Sequence, residues 1–268
     1  MEREKMFDLF EKMAESNETT PTSTSSAPGN VFVVSIGGSI LVKDKINSTL
    51  IAKIAESINN LRREGYKFVV VVGGGKTARD YIAAARTLGT ENNYLLDKIA
   101  INVTRLNASI LIHSIDDSHP EVLTRIDDAK KILEEGKVPV YGGLVPGFTT
   151  DTVSALLSEF LEGTFVNLTN QEGIYTADPA TTKRATLIEK MDHKRLLRII
   201  QRIDSRNPGE NVILDSITCM LLNRSSIRSI VLSVDDLANF ENAVRGNEFK
   251  GTLIETLTTE TEDDIESI

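Results

Sequence analysis

The sequence predicts an α/β protein: a three-layer sandwich in which helices cover both faces of a mostly parallel central sheet. Three observations lead there. Runs of continuous apolar, largely β-branched residues, such as "VFVVSI" and "FVVVV", have the character of strands buried on both faces. They alternate with helical patterns, as parallel crossovers require. Finally, glycine- or threonine-rich loops at 37–39, 73–75, 142–150 and 169–176 each follow a strand, and in such sheets ligands lie at the carboxyl ends of strands.

Taken in order, a strand from Val31 breaks at Gly37-Gly38. Ser48 is the expected N-cap of a helix whose Leu50, Ile51, Ile54, Ala55, Ile58 and Leu61 share one face, and Gly65 ends it. Phe68 to Val72 form the next strand. Residues 76–88 and about 94–113 read as helices, the second carrying Leu95, Ile99, Ile101, Val103, Leu106 and Ile110. "DDAKKILEEG" is a helix closed by Gly136, "VPVYGG" a strand, and Thr152 to Leu161 a helix. "TFVNLTN" is a strand, and "LSVDDLANFENAV" joins a strand end to a helix. Residues 31–255 carry this pattern. Before it, "MEREKMFDLFEKMAE" spaces Met6, Phe7, Phe10 and Met13 as a short amphipathic helix, and the polar "SNETTPTSTSSAPGN" reads as a flexible linker, so residues 1–30 form an appendage. The acidic stretch 256–268 lacks a core pattern and is expected to be disordered.

Composition narrows the function. The 268 residues, 40% hydrophobic, suffice for a large α/β core. Against 39 acidic residues stand 30 basic ones, a formal charge of −9, which argues against nonspecific nucleic-acid binding through phosphate neutralisation. The only cysteine is Cys219, so neither a disulfide framework nor a cysteine metal site is expected, and a reducing cytoplasm fits best. His113, His119 and His193 show no ligand spacing and read as surface or structural. No apolar run approaches the roughly 20 residues of a membrane span.

The most informative stretch is "VVVVGGGKTARDYI", where a buried strand passes through three glycines into a helix. A strand end, a glycine turn and a helix N-terminus offer unpaired N–H groups and a positive dipole end to an anion. The spacing excludes a Walker A loop, whose first glycine would fall at Val70. The stretch reads either as a phosphate-facing loop or as a turn that needs glycine for its backbone angles alone.

These motifs resemble the amino acid kinase family, and within it the archaeal-type uridylate (UMP) kinases. The resemblance rests on "SIGGSIL", "VVVGGGKTARDYI", "DKIAINVTRLNA", "PVYGGLVPGFTTDTVSALLSEFL", "LTNQEGIYTADP" and "GTLIE", and covers about 31–255. It implies ATP:UMP phosphotransfer in pyrimidine nucleotide synthesis, Mg²⁺ carried by ATP, no metal held by the protein alone, and a hexamer built from dimers. It implies that Gly37, Gly38 and Ser39 admit the ATP phosphates, that Gly74 faces UMP and Gly75 ATP, and that Lys76 and Arg79 are the cations near transfer. Asp97 would accept the UMP ribose hydroxyls. Leu144, Val145, Pro146, Gly147, Phe148, Thr149 and Thr150 would wrap the UMP, and Thr169, Tyr175 and Asp178 would form the adenine and ribose end of the ATP site. Taken singly, each has a plainer reading: Asp97 as a solvated helix residue, Arg79 as a solvent-facing charge, Tyr175 as a core aromatic, Asp178-Pro179 as a turn.

Three positions depart from the family pattern. Ser35 stands where many members have a lysine before the first glycine loop. Met220, counted from Asp215, stands where many have a lysine on a late helix. Glu172 replaces the usual aspartate of the loop before Tyr175. The alternatives to UMP kinase are therefore a catalytically weakened nucleotide-sensing or storage assembly, and a kinase of this fold acting on another small acceptor.

Overall fold

A computed structural model describes residues 29–177, 179, 181–204 and 213–256. The readings made for residues 1–28, for Asp178 and for 257–268 lie outside these residues. The described chain runs β1 (Val31–Ile36), α1 (Gly38–Leu41), α2 (Ser48–Arg63), β2 (Lys67–Val72), α3 (Gly75–Thr87), α4 (Asn93–Ile112), α5 (Asp128–Glu134), β3 (Val140–Tyr141), α6 (Thr150–Leu161), β4 (Thr164–Thr169), β5 (Lys190–Met191), α7 (His193–Asp204), α8 (Ser216–Arg224), β6 (Ser229–Ser233), α9 (Leu237–Arg245) and β7 (Thr252–Ile254). The seven strands form one sheet in the order β3-β2-β1-β4-β6-β7-β5. Every neighbouring pair is parallel except β6–β7. The mostly parallel sandwich expected from the apolar runs is thus the observed architecture.

Side-chain alternation divides the core between the faces of the sheet. Phe32, Val34 and Ile36 of β1, with Phe68, Val70 and Val72 of β2, pack on one side against Ile54, Ile58 and Leu61 of α2 and Phe240 of α9. Val33, Val69 and Val71 point the other way, against Val153 and Leu157 of α6. Ser35 shares that second face, and its parallel register partner on β4 is Asn167. Both are almost fully buried, so the end of the central strand pair carries two polar side chains toward α6.

Local chemistry places most helix ends near their expected positions. Gly65 and Gly136 have φ of +98° and +76°, the left-handed geometry that lets the chain turn after α2 and α5. The N-cap of α2 is Asn47 and not Ser48: the Asn47 side chain accepts the Leu50 N–H at 3.1 Å. Asparagine at this position does the same work one residue earlier. The "VPVYGG" strand shrinks to two paired residues, because only Val140 and Tyr141 find partners on β2. Five elements had no clear signal of their own in sequence: the single turn α1, the short β5 and β7, and the helices α7 and α8, whose apolar positions pack together in a satellite core around Leu196, Ile200, Cys219 and Leu222.

The two glycine loops meet backbone to backbone. A Cβ on Gly38 would stand 2.0 Å from the Gly75 nitrogen and 2.5 Å from Gly73 and Gly74 backbone atoms. Gly75 has φ +63°, and a Cβ there would be 2.3 Å from the Gly38 carbonyl oxygen. The glycines are therefore required by this mutual contact as well as by the turn. Gly38→Ala is expected to destabilise the protein by about 2–4 kcal/mol, since rigid backbone on both sides must move. Gly89→Ala, at φ +94° with nothing within 4 Å, should cost only about 1–2 kcal/mol of left-handed strain. Thermal denaturation of the two variants checks the order; equal losses would mean that the two loops can separate freely.

Candidate functional site

All four glycine- or threonine-rich loops lie at the carboxyl ends of β1, β2, β3 and β4. Helix α4 sets their positions from one side. The buried amide of Asn107 donates to the Gly73 carbonyl at 2.9 Å and to that of Gly74 at 3.3 Å. Thr104 Oγ1 accepts the Gly143 N–H at 2.7 Å, and Arg105 Nε donates to the Gly143 carbonyl at 3.2 Å. Gly142 and Gly143 carry no side chain because Thr104 and Ile101 occupy that space. The polar residues of "TRLNA" thus fasten the loops after β2 and β3 to one helix. Sequence reasoning assigned them no role, although three polar residues within an otherwise apolar stripe were the available signal.

The same helix contributes Asp97, whose Oδ2 accepts the Gly147 N–H at 2.8 Å. The structure therefore joins Asp97 to the 144–150 loop, fifty positions along the chain. Within that loop Leu144 packs against the core, Pro146 is half-buried, and Gly147 takes φ +87°. Val145 and Phe148 present exposed apolar surface. Thr149 caps α6 by accepting the Thr152 N–H at 3.1 Å, and Thr150 opens the helix. On α3, Lys76 forms an ion pair with Asp80 at 2.6 Å, whereas Arg79 is exposed. Ser39 is exposed beside buried Gly38. At the other end, the Thr169 hydroxyl bonds Asn170 at 3.3 Å and the Tyr175 hydroxyl donates to Glu172 at 2.8 Å. Tyr175 is half-exposed, so it is no core aromatic.

Between these two ends lies a polar cluster that the sequence did not announce. Ser35 Oγ donates to Asp151 Oδ1 at 2.6 Å, and Asn167 also bonds this carboxyl. Asp215 caps α8, accepting the N–H groups of Ile217 and Thr218. The same carboxylate accepts the hydroxyls of Thr149 and Thr218, each at 2.6 Å. Thr152 links to Thr218 at 3.1 Å. Burial raises the Asp151 pKa from its ordinary range to about 6; Ser35 and Asn167 pull against that, and the nearby Asp215 charge adds to it. Ser35 is thus a hydrogen-bond donor to an acid that burial and a neighbouring carboxylate drive toward neutrality. Met220 lies on α8 and is 54% exposed, while Thr218, Cys219 and Leu222 of the same helix are buried; it is not a packed core residue.

The raised pKa fixes a sign. A carboxyl that holds its proton more tightly when folded contributes stability fully below its unfolded pKa, near 4, and loses it as pH rises through about 6. The shift corresponds to at most about 3 kcal/mol. Asp151→Asn keeps an oxygen for Ser35 and removes the titration. Its melting temperature is expected to exceed that of the parent at pH 8, with the difference closing by pH 4. A constant difference across this range in paired calorimetric scans would show that Asp151 does not titrate as described.

With the geometry in place, comparison with known proteins is specific. The sequence pattern of the Amino acid kinase family matches residues 30–233. A uridylate kinase of Thermococcus sibiricus is 35% identical over 226 residues, covering 84% of this chain and 99% of that one. A uridylate kinase of Archaeoglobus fulgidus is 37% identical over 223 residues, with coverage of 83% and 98%. The crystal structure of uridylate kinase from Archaeoglobus fulgidus superimposes with a TM-score of 0.74 at 35% identity, covering 83% of this chain and 99% of that one. A UMP kinase structure from Bacillus anthracis, at 20% identity and a TM-score of 0.71, covering 85% and 97%, shares the fold. The strand order, the glycine loops at the strand ends and these similarities agree: the chain belongs to the amino acid kinase family.

Proposed function

We propose that this protein is a UMP kinase that transfers the γ-phosphate of ATP to UMP, giving UDP and ADP for pyrimidine nucleotide synthesis. The observation that carries this reading is the 2.8 Å bond between Asp97 and Gly147. It sets a carboxylate suited to ribose hydroxyls against a loop suited to a nucleotide, on the Gly74 side of the strand ends. The relatives named uridylate kinases identify the acceptor.

In this reading ATP and UMP lie end to end across the strand ends. Gly38, Ser39 and Gly75 admit the ATP phosphates, and Thr169 and Tyr175 hold its ribose and base, joined by Asp178, which lies outside the described residues. Gly74, Asp97 and Leu144 through Thr150 hold UMP. An oxygen of the UMP phosphate attacks the γ-phosphorus in line, a new P–O bond forms, and the bond to the bridging oxygen breaks with its electron pair leaving on ADP. That attacking oxygen is already ionised near neutral pH, so no general base is required. Lys76 and Arg79 supply positive charge, Lys76 by exchanging Asp80 for phosphate. Mg²⁺ carried by ATP would supply charge neutralisation to the phosphate oxygens. Asp151 and Asp215 are oxygen donors that suit such a hard cation, but their existing hydroxyl and amide partners fit contact through its water shell better than a protein cage.

We further propose a cytoplasmic homo-oligomer, a hexamer by resemblance. Tyr81, Leu88, Tyr94, Leu95 and Leu106 on and just beyond α3 and along α4 are large, apolar and exposed, which suits a subunit interface. Sedimentation velocity reports the mass; a monomer at micromolar concentration would remove this part of the proposal.

A coupled assay with ATP, Mg²⁺ and a panel of nucleoside monophosphates tests the activity, with UDP expected and CMP a poor acceptor; comparable turnover of CMP and UMP refutes the base selectivity. Asp97→Ala is expected to weaken UMP binding by roughly one to two decades, the loss of about 1.5–3 kcal/mol from a charged acceptor, and to leave ATP binding nearly unchanged. Unaltered UMP affinity in calorimetry would place the acceptor site elsewhere.

Met220→Lys asks whether the missing family cation can be restored. Because Met220 is exposed, the lysine remains solvated and the melting temperature should not fall. A cation that is felt more strongly in the transition state than in the ground state raises turnover, and ~1.4 kcal/mol gives about tenfold. A stable variant no faster than its parent would show that this position does not reach the phosphates.

A further inference from the structure

We infer that Lys250 positions the donor nucleotide by acting through Glu172 on Tyr175. The inference rests on the reading of the 169–176 loop as the base and ribose end of the ATP site, and it assigns to that end a residue from just before β7, two strands beyond β4 in the sheet.

Lys250 lies just before β7 and is held there by Asn239 of α9. The Asn239 Oδ1 accepts the Lys250 N–H at 2.8 Å, and its Nδ2 donates to the Lys250 carbonyl at 2.8 Å. A single side chain thus fixes the peptide groups on both sides of Lys250. From this anchored backbone the ammonium pairs with Glu172 Oε1. The other carboxylate oxygen, Oε2, accepts the Tyr175 hydroxyl at 2.8 Å. Both oxygens of Glu172 are therefore committed, one to the anchor and one to the tyrosine.

The neighbouring residues reinforce the placement. Thr252 Oγ1 accepts the Ile174 N–H at 2.8 Å and donates to the Ile188 carbonyl at 2.7 Å. A Cβ on Gly173 would come within 2.7 Å of that hydroxyl. Residues 250–252 therefore hold 172–174 by a backbone seat at Thr252 and a charged strut at Lys250. The seat fixes the loop; only the strut reaches the Tyr175 side chain. Lys250 also holds the Glu172 carboxyl below its ordinary pKa, with Tyr175 assisting, and the bond to Glu172 in turn raises the Tyr175 phenol. Glutamate in place of the shorter family aspartate gives the extra reach that such a bridge uses. Lys250 and Glu172 are both substantially exposed, and exposed ion pairs contribute little to overall stability. The effect therefore belongs to the orientation of one ring, not to the fold.

The test is steady-state kinetics of the full-length protein with ATP and UMP varied separately. Lys250→Met is expected to raise the KM for ATP about two- to fivefold, the size of one exposed ion pair, with the KM for UMP and the melting temperature unchanged. Lys250→Arg should restore the ATP value, since it keeps the charge. The ultraviolet difference titration of the Tyr175 phenol should change in Lys250→Met, and Tyr175→Phe should abolish that change. Tyr175→Ala is the control for the site itself. If it raises the KM for ATP while Lys250→Met does not, the inference is overturned and the donor site stands. If neither variant changes it, the donor end is misplaced and the inference falls with it. Should Lys250→Met melt lower, Lys250→Arg decides: full stability without recovery of the ATP value overturns the positioning role.

Discussion

The approach of Gly38 to Gly73, Gly74 and Gly75 is the constraint on which the site depends. Two parallel strands bring their ends within one strand spacing, and the chain must leave each end in a different direction. Here the two exits touch through bare backbone. Any side chain at the contact would push β1 and β2 apart at their carboxyl ends, or drive one loop over the other. Once the loops are seated, Asn107 can bond the carbonyls of Gly73 and Gly74, and α4 is fixed against β2. That docking in turn carries Thr104 to Gly143 and Asp97 to Gly147. A contact between glycines on the first two strands thus determines where the loop after the third strand stands.

On the opposite face, the same strand ends support a different kind of order. Ser35 and Asn167 are register partners and turn toward α6, where Asp151 receives both. Charge is not balanced by charge at this point: hydroxyls and an amide serve where an ion pair would otherwise stand. Neutral donors cannot fully replace the hydration of a buried carboxylate, which is why the Asp151 pKa rises to about 6. Asp215 beside it collects two backbone N–H groups and two close hydroxyls.

The sequence and the structure part company where long-range pairing decides the outcome. Strands β1, β2, β4 and β6 were legible because their apolar runs need burial on both faces, and α2, α4, α6 and α9 because each buried stripe repeats at helical spacing. β3 and β5 keep only two residues each, set by the partner strand and not by their own composition. The glycines were readable as a place of close approach, but not as a place where two loops approach each other. Asp97 and Thr149 were found through the family resemblance. Asp151 and Asp215 were not, since an acid at the start of a helix is usually a cap or a first-turn residue, and both do occupy such positions. Only the fold shows that the first-turn Asp151 of α6 lies near Asp215, the cap of α8. Lys250 is the extreme case, separated by seventy-eight positions from the glutamate it holds.

The distribution of caps also says where anions can be accommodated. Helices α6 and α8 start at the strand ends with Thr149 and Asp215 bonded to their first amides; the second cap, a carboxylate, offsets the positive end of its helix. Helix α3 starts beside them with Gly74 as its cap and no side chain on its amides. Its thirteen residues give it a sizeable dipole, and Lys76 and Arg79 stand in and just beyond the first turn. The positive potential at the strand ends is therefore concentrated at the Gly74–Gly75 turn, with the carboxylates gathered under the neighbouring helices. The kinase reading proposed above, with two phosphorylated substrates on a chain of net charge −9, calls for this segregation. Ser35 and Met220 add no charge to either side, so the burden falls on α3.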